Sequence, residues 1–150
     1  MPPAAIARTT RLLGFAGLLP QLVAAALVAS GRGEPFFFGR VLALVYGIII
    51  LSFLGGVWWG FAVRRTTGQG ALAAIAVLPS LAGVALMIAT QFGLPLPRAL
   101  VTLGTLIALT PVVDRRLVAT GEAPAGWMRL RAPLSLGLGG LTILAGLLAL

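Results

Sequence analysis

Arginine recurs along this chain so as to leave five long stretches that are apolar and free of charge. The first covers residues 12–31, between Arg11 and Arg32, and the second covers 41–63, between Arg40 and Arg64. The third lies within the uncharged stretch 66–97, with its apolar part at about 71–94. The fourth is 99–113, ahead of Asp114, and the fifth is 132–150, after Arg131. A helix needs roughly 20 apolar residues to cross the hydrocarbon of a bilayer, within a range of about 17 to 25. Four of the five stretches reach that length directly. The fourth reaches it if its helix continues past Arg115 and Arg116 to Ala119, with the arginines extending toward the headgroups. Thr120 and Gly121 then make a natural stop, because glycine accepts the left-handed backbone that ends many helices.

A β-barrel would need apolar and polar residues in alternation. Residues 42–45 (Leu, Ala, Leu, Val) and 48–51 (Ile, Ile, Ile, Leu) are apolar on both faces. A segment apolar all round must satisfy its backbone internally when it sits in lipid, which a helix does. Composition points the same way. Charged residues make up 9% of the chain and hydrophobic ones 59%, whereas a soluble domain carries about 25% charge. The expected fold is an all-α integral membrane bundle of five transmembrane helices, in one domain. Helices are expected at about 11–30, 37–63, 71–93, 98–119 and 132–150.

All eleven basic residues are arginine. If the five segments alternate in direction, Arg8, Arg11, Arg64, Arg65, Arg115, Arg116, Arg129 and Arg131 lie on one side. Arg32, Arg40 and Arg98 lie on the other. The positive-inside rule then puts the N-terminus in the cytoplasm and the C-terminus in the periplasm. The lack of Lys beside abundant Ala, Gly, Leu and Arg suits a GC-rich bacterial genome, and so a bacterial inner membrane. A net charge of +8 spread between apolar runs is loop charge, not a nucleic-acid-binding stripe. Arg8 and Arg11 ahead of an apolar run, with Val28, Ala29 and Ser30 behind it, mimic a cleaved signal. The run is longer than signal cores of roughly 7 to 15 residues and contains Pro20 and Gln21, which favours a retained helix.

Chemistry is sparse. There is no Cys and no His, which removes thiol and imidazole catalysis and their metal sites. Three carboxylates remain: Glu34, Asp114 and Glu122. Glu34 and Glu122 are assigned to loops, and Asp114 borders the fourth span. A structural ion pair with Arg65, Arg129 or Arg131 on the same side would neutralise it. The chain is read as non-enzymatic, without cofactor or metal.

Ser52, Gly56 and Gly60 recur every four residues and share one face of the second helix. Small residues at that spacing let another helix approach closely. The primary expectation is packing inside the bundle; the alternative is a homodimer interface or a ligand groove that also draws on Tyr46, Trp59, Gln21 and Ser80. Trp58 and Trp59 are read as interfacial anchors near Arg64 and Arg65, the alternative being an aromatic wall for a lipid-like or quinone-like ligand. Phe36, Phe37 and Phe38 are read as simple anchors. Pro20, Pro79 and Pro111 interrupt three helices, and the neighbouring Gln21, Ser80 and Thr110 are placed to satisfy the freed backbone groups. Trp127 to Arg131 is expected to lie along the cytoplasmic interface ahead of a helix beginning near Pro133, favourable beside anionic lipid.

Several of these residues carry a resemblance. Gly14 to Pro20, Tyr46 to Gly60 and the Leu78, Pro79, Ser80 triplet are similar to domain-of-unknown-function family 3429, the transmembrane protein sixty-nine-like proteins. So are Asp114, Gly121, Pro124, Trp127 and the run from Leu130 to Leu134. The family typically has His or Arg where Trp58 stands, so the resemblance implies no essential charge there. It implies bacterial inner membranes, or mitochondria in eukaryotic relatives, and no particular activity. Three classes of function are therefore weighed. The leading one is a non-enzymatic accessory, assembly or scaffold component that binds the bilayer, anionic lipid or partner helices, or forms a homo-oligomer. The second is a small transporter or channel with a polar path along Gln21, Tyr46, Ser52, Ser80, Thr102 and Thr105. The third is a membrane enzyme, for which Asp114 and Tyr46 are poor sole candidates.

Overall fold

A computed structural model describes residues 6–150. It places seven helices among them: α1 (Arg8–Ala16), α2 (Leu19–Ala29), α3 (Gly33–Ala62), α4 (Gln69–Gln91), α5 (Leu96–Leu109), α6 (Pro111–Ala119) and α7 (Trp127–Leu148). They form five stretches long and apolar enough to cross a membrane: Arg8–Ala29, Gly33–Ala62, Gln69–Gln91, Leu96–Ala119 and Trp127–Leu148. The first and fourth are each two helices in line, and both breaks trace to proline. Pro20 follows the turn at Gly17 and Leu18, and Pro111 opens α6. Proline cannot donate to the preceding turn, and its ring crowds the carbonyl four residues back. Pro79 sits inside α4, which remains a single helix.

Two boundaries differ from the sequence expectation. α3 begins at Gly33 and not near residue 37, which places Glu34 in its first turn, where the helix dipole favours a negative charge. α7 begins at Trp127, so the segment from Trp127 to Arg131 is its opening turn and not a strip along the membrane surface. Gly126 starts that helix with a left-handed φ of 79°. At the end of α6 the expected stop is present. Gly121 takes a φ of 73°, and the Glu122 and Gly121 amides donate to Leu117 and Val118 at 2.9 and 3.0 Å, the paired bonds of a Schellman motif.

α3 and α7 are the central helices. α3 packs against α2, α4, α5 and α7, and α7 packs against α1, α2, α3, α5 and α6. One apolar cluster runs through the middle of the bundle, built from Val28, Leu51, Leu100, Leu103 and Ile107 among others. A second, around Trp58, Leu72 and Leu117, sits toward the end where the arginines gather. The surface is turned inside out relative to a soluble protein. Phe53 and Leu81 are 62% and 60% exposed, while Gln21, Asp114 and Thr142 are fully buried. Such a surface is suited to hydrocarbon and not to water.

α5 and α7 approach closely, and glycine permits it. A methyl group on Gly104 would lie 2.6 Å from the Gly139 carbonyl oxygen, and one on Gly139 would lie 2.6 Å from the Gly104 carbonyl oxygen. Gly140, one residue along, has nothing within 4 Å of its missing methyl. Gly139→Ala should therefore destabilise the bundle by about 1–3 kcal/mol through overpacking, measured by unfolding in mixed detergent and dodecyl sulfate. Gly140→Ala, which meets no neighbour, should leave the curve in place or shift it slightly toward greater stability. An unshifted Gly139→Ala curve would mean that the α5–α7 contact is not as close as described.

Candidate functional site

Asp114 sits in the first turn of α6 and is fully buried. Its Oδ1 accepts the indole N–H of Trp58 at 3.0 Å and that of Trp127 at 3.2 Å. Its Oδ2 accepts the Nε of Arg131 at 3.0 Å. The Arg131 guanidinium also lies 5.5 Å from the centre of the Trp127 ring, and Phe61 meets that ring edge-on at 5.7 Å. The cluster ties α3, α6 and α7 together. Each indole has one polar atom, a donor, so Trp58 and Trp127 present apolar bodies to the bundle and N–H groups to the carboxylate. Two neutral donors and one cation thus occupy both oxygens of the carboxylate.

Of the three arginines proposed as partners of Asp114, the structure pairs Arg131. Arg65 instead makes two bonds to Glu122, at 2.6 and 2.7 Å, joining the α3–α4 connection to the α6–α7 connection. That guanidinium, followed by the Thr120 hydroxyl, holds the Glu122 carboxyl down at about 2. Arg129 is exposed and lines a surface groove with Arg11. These contacts gather Arg11, Arg65, Arg129, Arg131, Asp114 and Glu122 at one end of the bundle.

Deeper in the bundle, polar side chains close on one another. The Gln21 amide donates to the Thr142 hydroxyl at 2.7 Å and to the Ala43 carbonyl at 3.4 Å, linking α2 to α7 and α3. The Thr142 hydroxyl donates in turn to the Leu138 carbonyl at 2.8 Å. Tyr46 donates to the Gly17 carbonyl at 2.5 Å, at the break between α1 and α2. Thr110 covers the Ile107 carbonyl that Pro111 leaves open, at 2.7 Å, and its oxygen lies 2.9 Å from the Ser135 hydroxyl. Of the three polar residues beside prolines, Thr110 thus serves its own helix, whereas Gln21 and Ser80 bond across to neighbours. The Ser52 and Ser80 hydroxyls are 2.8 Å apart, between α3 and α4. Thr102 and Thr105 lie on the exposed side of α5, so the six polar residues weighed as a path do not line one channel.

The two tryptophans of α3 separate. Trp59 is 47% exposed, as an anchor would be, but Trp58 is 3% exposed and bonded to Asp114. The anchoring expectation for Trp58 is therefore corrected, because its indole turns inward to a buried charge. The small-residue face is corrected too. Gly55, not Gly56, lies against α4, facing the Ala76 carbonyl and Pro79, while Gly56 and Gly60 have nothing within 4 Å. One residue rotates the helix face by about 100°, so α4 meets Ser52 and Gly55 and leaves Gly56 and Gly60 uncovered. Sequence reasoning missed Trp127, Ser135 and Thr142 as interior partners. Their signal was spacing: Arg131, Ser135, Leu138, Thr142 and Ala145 repeat along one face of α7, and all five are buried.

Apolar surfaces, five spanning helices and an interior ion pair define a multi-pass α-helical membrane protein. The chain belongs to the family described as "Protein of unknown function (DUF3429)", which matches residues 6–148. A 55-residue segment, 37% of the chain, is 44% identical to Transmembrane protein 69 of Xenopus tropicalis. The match covers 21% of that protein, so the chain spans about a fifth of this relative's length. No solved structure matches the chain.

The buried pair makes a testable case. Asp114→Ala strands the Arg131 charge and should destabilise the bundle by about 3–5 kcal/mol. The double change Asp114→Leu with Arg131→Met removes both charges and should recover much of that loss, read as dodecyl sulfate unfolding curves. A double variant no more stable than the single one would contradict the pairing.

Proposed function

We propose that the protein is a non-enzymatic component of a bacterial inner membrane, with its N-terminus cytoplasmic and its C-terminus periplasmic, that docks a partner helix along the outer face of α3. The observation that carries this reading is the open space over Gly56 and Gly60. Elsewhere in α3, Gly39, Gly47 and Gly55 each meet a neighbouring helix closely. Glycine in a helix interior lowers helix propensity by about 1 kcal/mol relative to alanine. Two of them facing nothing within the bundle suit a surface that a second helix covers, since small residues allow backbones to approach in lipid. The exposed Phe53 and Trp59 flank this face. The non-enzymatic part rests on the occupied state of Asp114 and Glu122, each bonded to an arginine. The orientation rests on the eight arginines of one side against three on the other.

Gly56→Ile with Gly60→Ile should not lower monomer stability, since neither side chain meets a neighbour, while abolishing the oligomer or complex recovered by gentle detergent extraction and native mass spectrometry. A wild-type chain that is always a lone monomer, or a complex indifferent to both substitutions, would refute the docking role. Alkaline phosphatase fused at the C-terminus should be active and the same fusion in the α3–α4 connection inactive. The reverse pattern would invert the orientation.

A further inference from the structure

At the arginine-rich end, α1 and the start of α7 enclose a groove of about 370 Å³. Small-molecule sites span roughly 300–1,000 Å³. Ile6, Arg11, Phe15, Gly126, Arg129 and Leu130 line it. Two of those six are arginines and none is acidic. The chain has only three acidic side chains. Asp114 and Glu122 are bonded to Arg131 and Arg65, and Glu34 stands in the first turn of α3 at the opposite end. Among the described residues, Arg11 makes one hydrogen bond, from Nη2 to the Ile6 carbonyl at 3.3 Å. The groove therefore holds two guanidinium groups whose charge no carboxylate of the chain neutralises. The N-terminus of the 22-residue α7 lies in its wall and adds to the positive potential.

The remaining walls are apolar. Phe15 is 43% exposed, and Leu12 and Leu19 continue an exposed apolar track along α1 and α2. A site that is cationic at its mouth and apolar along its length, at the edge of a spanning helix, complements a molecule with an anionic head and a hydrocarbon tail. We infer that this groove binds one anionic phospholipid, its phosphate held between Arg11 and Arg129 and an acyl chain laid along Phe15 and the α1 leucines. Guanidinium suits the role because its planar fork of donors matches phosphate oxygens. The site lies apart from the α3 face, which lines none of it, so each reading stands or falls alone.

The test uses the full chain purified in dodecyl maltoside and titrated with dioleoyl phosphatidylglycerol or dioleoyl phosphatidylcholine, counting bound lipids by native mass spectrometry. One phosphatidylglycerol should bind first and tightly, and phosphatidylcholine should not compete. Arg11→Gln with Arg129→Gln should weaken that first binding roughly 30-fold, and Arg11→Lys with Arg129→Lys should restore most of it. Arg115→Gln with Arg116→Gln removes the same charge from α6, outside the groove, and should change the first binding little. Equal loss in the two glutamine pairs would mean diffuse attraction to the basic end and would overturn the proposal. So would equal binding of phosphatidylcholine, or displacement of the lipid by inorganic phosphate alone, which would mark a free-phosphate site. If the double glutamine variant fails to fold, the single changes Arg11→Gln and Arg129→Gln, both at exposed positions, report on the same groove and should each weaken binding several-fold.

Discussion

Helices surrounded by hydrocarbon gain nothing by hiding leucine from lipid, so this bundle must be held by what lipid cannot supply. Two kinds of contact meet that need. The first is close packing of backbone on backbone, at Gly104 and Gly139 between α5 and α7. The second is hydrogen bonding between side chains that lipid would leave unsatisfied, with Asp114 as the extreme case. A buried carboxylate is tolerable only with its charge balanced and its lone pairs occupied. Those requirements set where Trp58, Trp127 and Arg131 must point. The ends of α3, α6 and α7 are thereby fixed relative to one another.

The spans themselves were plain in the sequence because a charge at membrane depth is expensive. Arginines therefore bound the uncharged apolar runs, although the helices themselves extend past some of them, as α3 does at Arg40 and α7 at Arg131. The breaks near Pro20 and Pro111 were legible for a similarly local reason, the missing N–H of proline. The start of α7 was not. Trp127 to Arg131 mixes aromatic and basic residues as an interfacial strip would, and nothing local distinguishes that from a helical turn. What decides is Asp114, thirteen residues earlier, which draws the Trp127 indole and the Arg131 guanidinium inward. The role of Trp58 was hidden for the same reason, since an indole near a helix end serves equally as a membrane anchor and as a donor to a buried anion.

Periodicity also has a limit of principle. Ser52, Gly56 and Gly60 do share a face of α3, as the four-residue spacing indicates. Which face a neighbour occupies depends on where that neighbour lands, and α4 lands one position away, on Gly55. Adjacent glycines can thus have opposite surroundings, one pressed against a carbonyl and one open. Only the assembled bundle separates them.

The interior polar groups are distributed unevenly, and that distribution bears on what the outer surface is for. α7 carries Arg131, Ser135 and Thr142 on one buried stripe. Each bonds a different helix: α6 through Asp114, the α5–α6 junction through Thr110, and α2 through Gln21. A polar pair that matches in only one register specifies neighbours more sharply than leucines do. α7 therefore encodes the arrangement of most of the bundle. α3 meets α4 through the Ser52–Ser80 pair and Gly55, and the adjoining strip of its surface keeps Gly56 and Gly60 without any internal neighbour within 4 Å. Once α7 has specified the fold, small residues left on the outside of α3 are not needed to hold the monomer together. The proposed docking role gives them a physical use, since small residues let another helix come close in lipid.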